Sequence, residues 1–318
     1  MKSDKKQIFL TKWLLCLILF SSTVMVHAQY EPQFSQYLNN EMFINPAYAG
    51  SRGYMASTIL YRDQWTGMEG APKTGTFSFH LPFSRDRAGA GICIMNDRIG
   101  VSNHTAVFLN YAYHLRVTED NGILSFGLQG GIINAEEKLR DVITIESGDP
   151  EFANNVYHKL MPNFGFGTYY HTGRFYVGLS IPRFLKNKID PFIQSVESNK
   201  LEIKNWHYYL YSAYVADLGE SVKMKPAVMF KAVSGAPLEA DVNLNFLLKD
   251  VFWIGAGYRT GDAVIFITQY QINKQLRIGY SYDYTLTKLQ NFNSGTHEFT
   301  VGYDFTFDKN KIVSPRYF

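Results

Sequence analysis

Two consecutive runs near the end of the chain alternate apolar and polar side chains, and nothing later in the sequence could cover their apolar faces. In 275–286, Leu276, Ile278, Tyr280, Tyr282, Tyr284 and Leu286 share one face, with Arg277, Gly279, Ser281, Asp283 and Thr285 opposite. The run 296–307 repeats the pattern, with Phe299, Val301, Tyr303, Phe305 and Phe307 against Glu298, Thr300, Gly302, Asp304 and Thr306. Side chains on a strand alternate with period two, so each run is a strand with one greasy and one polar face. A soluble sheet would need a helix or second sheet over the greasy face. Most of the preceding chain instead repeats the same pattern, which is how a membrane β-barrel is written, with lipid outside and polar packing or water inside.

The start of the chain stands apart. Lys2, Lys5, Lys6 and Lys12 precede an apolar stretch from Trp13 to Phe20, and Val26-His27-Ala28 supplies small residues for cleavage. Residues 1–28 therefore read as a secretory signal peptide, leaving Gln29 first in the mature chain. The apolar stretch is shorter than the ~18–20 residues of a spanning helix. This segment carries the whole formal +3 of the 318-residue chain, so the mature protein is formally neutral. The basic balance thus implies no nucleic-acid partner, and there is no basic block with interleaved aromatics to suggest one. Of two cysteines only Cys93 lies beyond residue 28, so no internal disulfide can form. Export, 16% aromatic residues and the alternation define an all-β envelope protein.

Residues 29–52 form an N-terminal periplasmic or lumenal segment. Phe34, Tyr37, Leu38 and Met42 fit a short amphipathic helix at 33–43, ended by Pro46 and Gly50. This segment can cap the periplasmic mouth, enter the lumen or serve as a packing arm. From 53 to 307 fourteen antiparallel strands follow, at 53–62, 74–83, 88–97, 102–116, 122–134, 162–172, 174–185, 203–217, 222–233, 238–248, 251–260, 262–272, 275–286 and 296–307. Runs 88–97 and 262–272 are apolar on both faces. Links after even strands are short, and the long ones (63–73, 135–161, 186–202, 287–295) all follow odd strands. Outer-membrane barrels have even strand numbers, short periplasmic turns and longer outer loops. With a periplasmic N-terminus, every long link lies outside the cell. Residues 308–318 are a C-terminal tail. Lys223, Lys225, Lys231, Glu239, Asp241, Arg277, Asp283 and Asp304 should point inward, since Arg or Lys at the lipid midplane costs ~2–4 kcal/mol. Gly127, Gly165, Gly167, Gly255, Gly279 and Gly302 on that face make room for neighbours or let strands bend. Trp206, Tyr258, Tyr270 and Tyr284 are candidates for interfacial belts.

No catalytic or metal constellation emerges. There is no Gly-x-Ser-x-Gly elbow, His-Glu-x-x-His, phosphate loop or paired cysteines, and the eight histidines are scattered. His104 and His114 would lie ~33 Å apart along one strand. His297-Glu298 reads as a hydrogen-bonding pair at the rim. The acidic loop containing Glu136, Glu137, Asp141, Glu146 and Asp149 reads as solvated rather than as a calcium site. Neither an enzyme nor a cofactor is expected. Two segments stand out, Asn45–Gly50 and the first outer loop from Tyr61 to Pro72. The loop sets Arg62, Asp63, Trp65 and Met68 among turn formers, and Trp and Arg are favoured interface anchors. These four are the candidate partner-binding residues. Alternatively, the loop folds inward and plugs the lumen.

Asn-Pro-Ala-Tyr-Ala-Gly (45–50), Tyr-Arg-Asp-Gln-Trp with Gly-Ala-Pro (61–72), Gly-Ala-Gly-Ile (89–92) with Asp97 and Gly100, Gly295 to Glu298 with Tyr303, and the closing Ser-Pro-Arg-Tyr-Phe occur in order. Together they resemble the PorP/SprF family of the type IX secretion and gliding machinery of Bacteroidota, over essentially the whole mature chain. The tail departs in having Ser314 and Tyr317 where the family often has Cys or Phe. The resemblance implies a non-enzymatic barrel in the outer-membrane lipid. Its implied partner is a secreted surface protein, an adhesin with a C-terminal sorting domain, gripped by the outer loops. Alternatively, as a core component, it contacts the periplasmic ring and lipoprotein of the secretion apparatus. A passive porin or hydrophobic-solute transporter is the reading from barrel size alone.

Overall fold

The computed structural model describes residues 31–118, 122–138, 159–189 and 196–305. The signal peptide, the position of the mature N-terminus, the acidic residues Asp141 to Asp149 and the tail lie outside these. Strands β1 (Met55–Asp63), β2 (Lys73–Phe83), β3 (Ala88–Ile99), β4 (Ser102–Arg116), β5 (Ile123–Glu137), β6 (Lys159–His171) and β7 (Phe175–Ile181) form a meander. A small hairpin, β8 (Leu185–Ile189) and β9 (Val196–Leu201), pairs only with itself. Then β10 (Tyr208–Tyr214) and β11 (Ala216–Asp217) continue the sheet, followed by β12 (Val222–Ala232), β13 (Glu239–Leu248), β14 (Phe252–Arg259), β15 (Ala263–Gln271), β16 (Leu276–Thr285) and β17 (Thr296–Phe305).

Antiparallel pairing of β17 with β1, from Met55↔Phe305 to Asp63↔His297, closes the sheet. Closure leaves no unpaired edge, which a sheet in lipid requires. β10 and β11 both pair with β12 in one register, and their interruption lies opposite Pro226, which has no N–H to donate. Counted as one strand they make a barrel of fourteen, as the sequence predicts. The links 84–87, 249–251 and 272–275 lie at one end, here the turn end. Links 64–72 and 286–295 lie at the other, the loop end, together with the short turns Gly100-Val101 and 260–262, and there β5 ends, β6 begins and β7 ends.

The faces follow the alternation. Leu109, Leu128, Val242, Phe266 and Phe299 are each more than half exposed on the outer wall, where lipid would cover them. Tyr258 and Tyr284 near the loop end and Tyr270 near the turn end stand on the same wall, at the depths where aromatic belts form. Lys225, Lys231, Glu239, Asp241, Arg277, Asp283 and Asp304 are buried inside. Lys223 pairs with Asp250 at the turn end.

Inside the barrel runs the segment 31–54. It forms three 3-10 turns, Tyr37–Asn39, Glu41–Phe43 and Pro46–Tyr48, instead of one amphipathic helix. An amphipathic helix needs a wet face, and this segment has none. Phe34, Tyr37, Met42, Ala47 and Tyr48 are buried, and so are Gln36, Asn40 and Glu41. The apolar members share one cluster with Cys93, Met95 and Phe108 of the wall. That contact explains why β3 is apolar on both faces.

Candidate functional site: a filled lumen beneath an anchored loop

The segment enters the described structure at the loop end, where Glu31 pairs with Arg183 at 3.1 Å. Gln33 donates to Glu239 at 2.8 Å. The backbone N–H groups of Ser35 and Gln36 both donate to the Glu298 carboxylate, at 3.0 and 2.7 Å. Further along, Asn243 donates to the Tyr37 hydroxyl at 3.2 Å, and Asn40 reaches Thr76 at 3.3 Å. The Asn45–Gly50 motif anchors the lower part. The Asn45 side chain caps the turn by accepting from Ala47 N–H at 2.9 Å, and Pro46 takes the first turn position, where its missing N–H is not needed. The same Asn45 amide donates to Thr168 carbonyl at 2.8 Å. Gly50, at φ +77°, turns the chain against Gly89. Arg52 then pairs with Asp304 at 3.3 Å, and β1 begins at the turn end. Described residues at the beginning of the segment thus lie at the loop end, not at the turn end that a periplasmic start predicts.

The wall is shaped to this segment. A Cβ on Gly89 would collide with the Ala49 carbonyl, one on Gly127 with the backbone of Pro46 and Ala47, and one on Gly167 with the Asn45 side chain. Gly255 and Gly302 instead make room for wall side chains, Asn245 and Arg277.

A charged cluster surrounds the beginning of the segment. Arg62 donates to Glu298 at 3.0 Å and to Asp283 at 2.9 Å, and Ser35 Oγ donates to the same Asp283 oxygen at 2.6 Å. Arg259 bridges Asp241 at 2.8 Å and Asp283 at 3.3 Å, while Lys231 holds Glu239 at 2.6 Å and Asp241 at 3.3 Å. Removing one member of such a buried set costs ~3–5 kcal/mol, because it strands the partner charge. A small recess, open at its mouth, remains beside the segment, lined by Glu31, Phe34, Tyr37, Met95, Arg183 and Lys231 among others.

These contacts redistribute the four loop residues. Arg62 is 1% exposed inside the wall, so it is not a surface anchor; its length and charge are used by the lumen carboxylates. Asp63 does not pair with Arg62 but faces Lys73 at 3.5 Å. Trp65 and Met68 are half-buried on the loop. The loop stays at the rim and leaves the plugging to the N-terminal segment. Gln64 N–H donates to Pro72 carbonyl, Thr66 and Gly295 are bonded at 2.8 Å, and Gly100 N–H reaches Gly70 carbonyl at 2.9 Å. Trp65 adopts a left-handed φ of 50°, unusual for a bulky residue, with its N–H held by Thr296 Oγ1 at 3.1 Å. His297 and Glu298 make no rim pair, because adjacent strand residues face opposite ways. His297 bonds to the Tyr280 hydroxyl at 2.8 Å on the outer wall while Glu298 is buried inside. The cluster around Glu298 was missed because its members come from six strands and the segment; the inward charges were its only signal.

Among the described residues no group of three or more His, Cys, Asp or Glu could hold a metal ion. The family model described as type IX secretion system membrane protein PorP/SprF matches residues 26–303. No curated protein matches. Solved structures with similar folds include the outer membrane protein Omp33 of Acinetobacter baumannii, with TM-score 0.45 and 9% identity over 79% of this chain and 98% of that one. A FadL homologue of Pseudomonas aeruginosa gives TM-score 0.46 and 11% identity over 84% and 94%. A mutant of TodX, a monoaromatic hydrocarbon channel, gives 0.44 and 11% over 83% and 92%.

Proposed function

Because the chain belongs to the PorP/SprF family of type IX secretion system membrane proteins, we propose that this outer-membrane barrel is the surface partner of one secreted protein, an adhesin carrying a C-terminal sorting domain. As a family member the barrel is a secretion-system membrane protein rather than an enzyme. The observation that carries the proposal is the lumen filled by residues 31–50 and clamped by buried ion pairs. A barrel so filled is suited to hold or position a partner at its face rather than to pass solutes. The rim loop supports the same reading. It is bonded to two neighbouring links, so Asp63, Trp65 and Met68 are offered in a fixed arrangement, and rigid aromatic side chains make efficient anchors.

The test is affinity purification of the tagged protein from its native membrane in mild detergent, followed by mass spectrometry. A co-purifying surface protein with a C-terminal sorting domain supports the proposal. Recovery of periplasmic ring and lipoprotein components instead would make the barrel a core part of the apparatus. A barrel recovered alone that conducts ions in planar bilayers would return it to the pore class.

A further inference from the structure

We infer that the chain is threaded outward through its own barrel, so that the mature protein begins on the outer face, where an extracellular partner would meet it beside loop 64–72. The inference rests on the readings that the long loops face outward and that the chain is cleaved after Ala28, and it adds the start of the segment to the surface formed by the rim loop.

The path follows from the order of contacts. On β17, which runs from the loop end to the turn end, Gln36 meets Glu298 and Thr300, whereas Arg52 meets Asp304. Six residues of strand separate Glu298 from Asp304, or ~20 Å at ~3.4 Å per residue, so the segment descends through most of the wall before β1 begins. Residue 31 is at the loop end, on Arg183 beyond the last residue of β7, and Gln33 holds Glu239 at the loop-end start of β13. The seat is built for this direction. Gly167, Gly127 and Gly89 clear Asn45, Ala47 and Ala49 in that order, and Gly50 makes its left-handed turn only at the bottom. A segment that merely capped the turn end would meet neither the Glu298 carboxylate nor Glu239. The beginning of the segment and the rim loop are joined through Arg62, whose guanidinium accompanies Ser35 on Asp283 one residue before Asp63.

The test uses intact cells. A short epitope is inserted after Gln29, and separately Glu31→Cys is labelled with a membrane-impermeant maleimide; Cys93 is buried and should give no background. Glu69→Cys, exposed on the rim loop, and Lys274→Cys, exposed in the turn between β15 and β16, report the two ends of the barrel. The expected result is antibody staining of the epitope on intact cells with no gain after permeabilisation. The Glu31→Cys variant should label on intact cells as the Glu69→Cys variant does, while Lys274→Cys reacts only in permeabilised cells. Epitope and Glu31→Cys signals that need permeabilisation, while Glu69→Cys does not, would overturn the threading. Labelling of Lys274→Cys but not Glu69→Cys on intact cells would overturn it by a different route, by inverting the barrel and the proposed function with it. If Glu31→Cys fails to assemble, the epitope decides alone, since it leaves the Glu31–Arg183 pair in place.

Discussion

Glu298 is the residue whose loss should most directly loosen the filled lumen. Its carboxylate is fully buried and receives the backbone N–H groups of Ser35 and Gln36 together with Arg62. Glu298→Gln keeps the volume and one acceptor oxygen, but it turns an amide NH₂ towards groups that are all donors. It also leaves the Arg62 guanidinium with Asp283 as its remaining carboxylate. Breaking a buried charged pair costs ~3–5 kcal/mol, and the retained oxygen argues for the low end, about 3 kcal/mol. That is a more than hundredfold change in the folded-to-unfolded ratio, at about 1.4 kcal/mol per decade. The assay is equilibrium urea unfolding of the barrel refolded into phospholipid vesicles, with Glu69→Gln on the exposed rim loop as a control expected within about 0.5 kcal/mol of the parent. A planar-bilayer recording supplies the second reading, with the parent silent and Glu298→Gln showing intermittent openings as the beginning of the segment detaches. If Glu298→Gln unfolded with the control and stayed silent, this carboxylate would not be what holds the segment.

Other substitutions probe the same arrangement from different sides. Gly127→Ala places a methyl group in the backbone of Pro46 and Ala47, so it should destabilise by ~1–3 kcal/mol through overpacking, visible as a lowered thermal midpoint. An unchanged midpoint would mean that the segment is not seated there. Tyr280→Arg, at mid-strand on the lipid face, should cost ~2–4 kcal/mol and reduce the heat-modifiable, folded band on gels. The sequence alone suggests that Asp283→Asn is benign by comparison. With Arg62, Arg259 and Ser35 all on Asp283, it should be as damaging, at ~3–5 kcal/mol; a variant folding like the parent would contradict the cluster. Trp65→Ala should leave unfolding within about 0.5 kcal/mol but lower surface retention of the secreted partner, measured by whole-cell immunoblotting. Normal retention would remove the loop from the interface.

The barrel was legible because its constraint is local and repeated. Strand alternation assigns each side chain to lipid or lumen independently of its neighbours in space, so Phe299 and Asp283 can be placed outside and inside from the sequence alone. Closure follows from the even strand number and the division between short and long links. The contents of the lumen obey no such periodic rule. Phe34, Tyr37 and Met42 look like one face of a helix only if the opposite face is wet; surrounded by wall, Gln36, Asn40 and Glu41 are buried as well and the turns tighten to 3-10. Arg62 illustrates the same limit. In sequence it belongs to a loop rich in interface residues, but one step along the strand decides whether a side chain faces the rim or the lumen, and it faces the lumen.

Two sequence features nonetheless pointed at the seat, and their physical meaning emerges only together. Glycines on an inward strand face imply close approach of something, and Asn-Pro-Ala-Tyr-Ala-Gly implies a turn that can be fixed in one shape. In the structure each is the reason for the other: Gly127 and Gly167 admit the turn, and the capped turn presents Ala47 and Asn45 to them. Backbone-to-backbone packing of this kind leaves no side chain to adapt, so the lower part of the segment is fixed by shape. The upper part is fixed by charge, with Glu298, Asp283 and Glu239 holding Ser35, Gln36 and Gln33. Contacts of the second kind can be exchanged for water or for a partner's polar groups at modest net cost, whereas an interlocked backbone cannot. Any opening of this lumen should therefore begin at the loop end, beneath the anchored rim loop, with Asn45–Gly50 the last part to leave its seat.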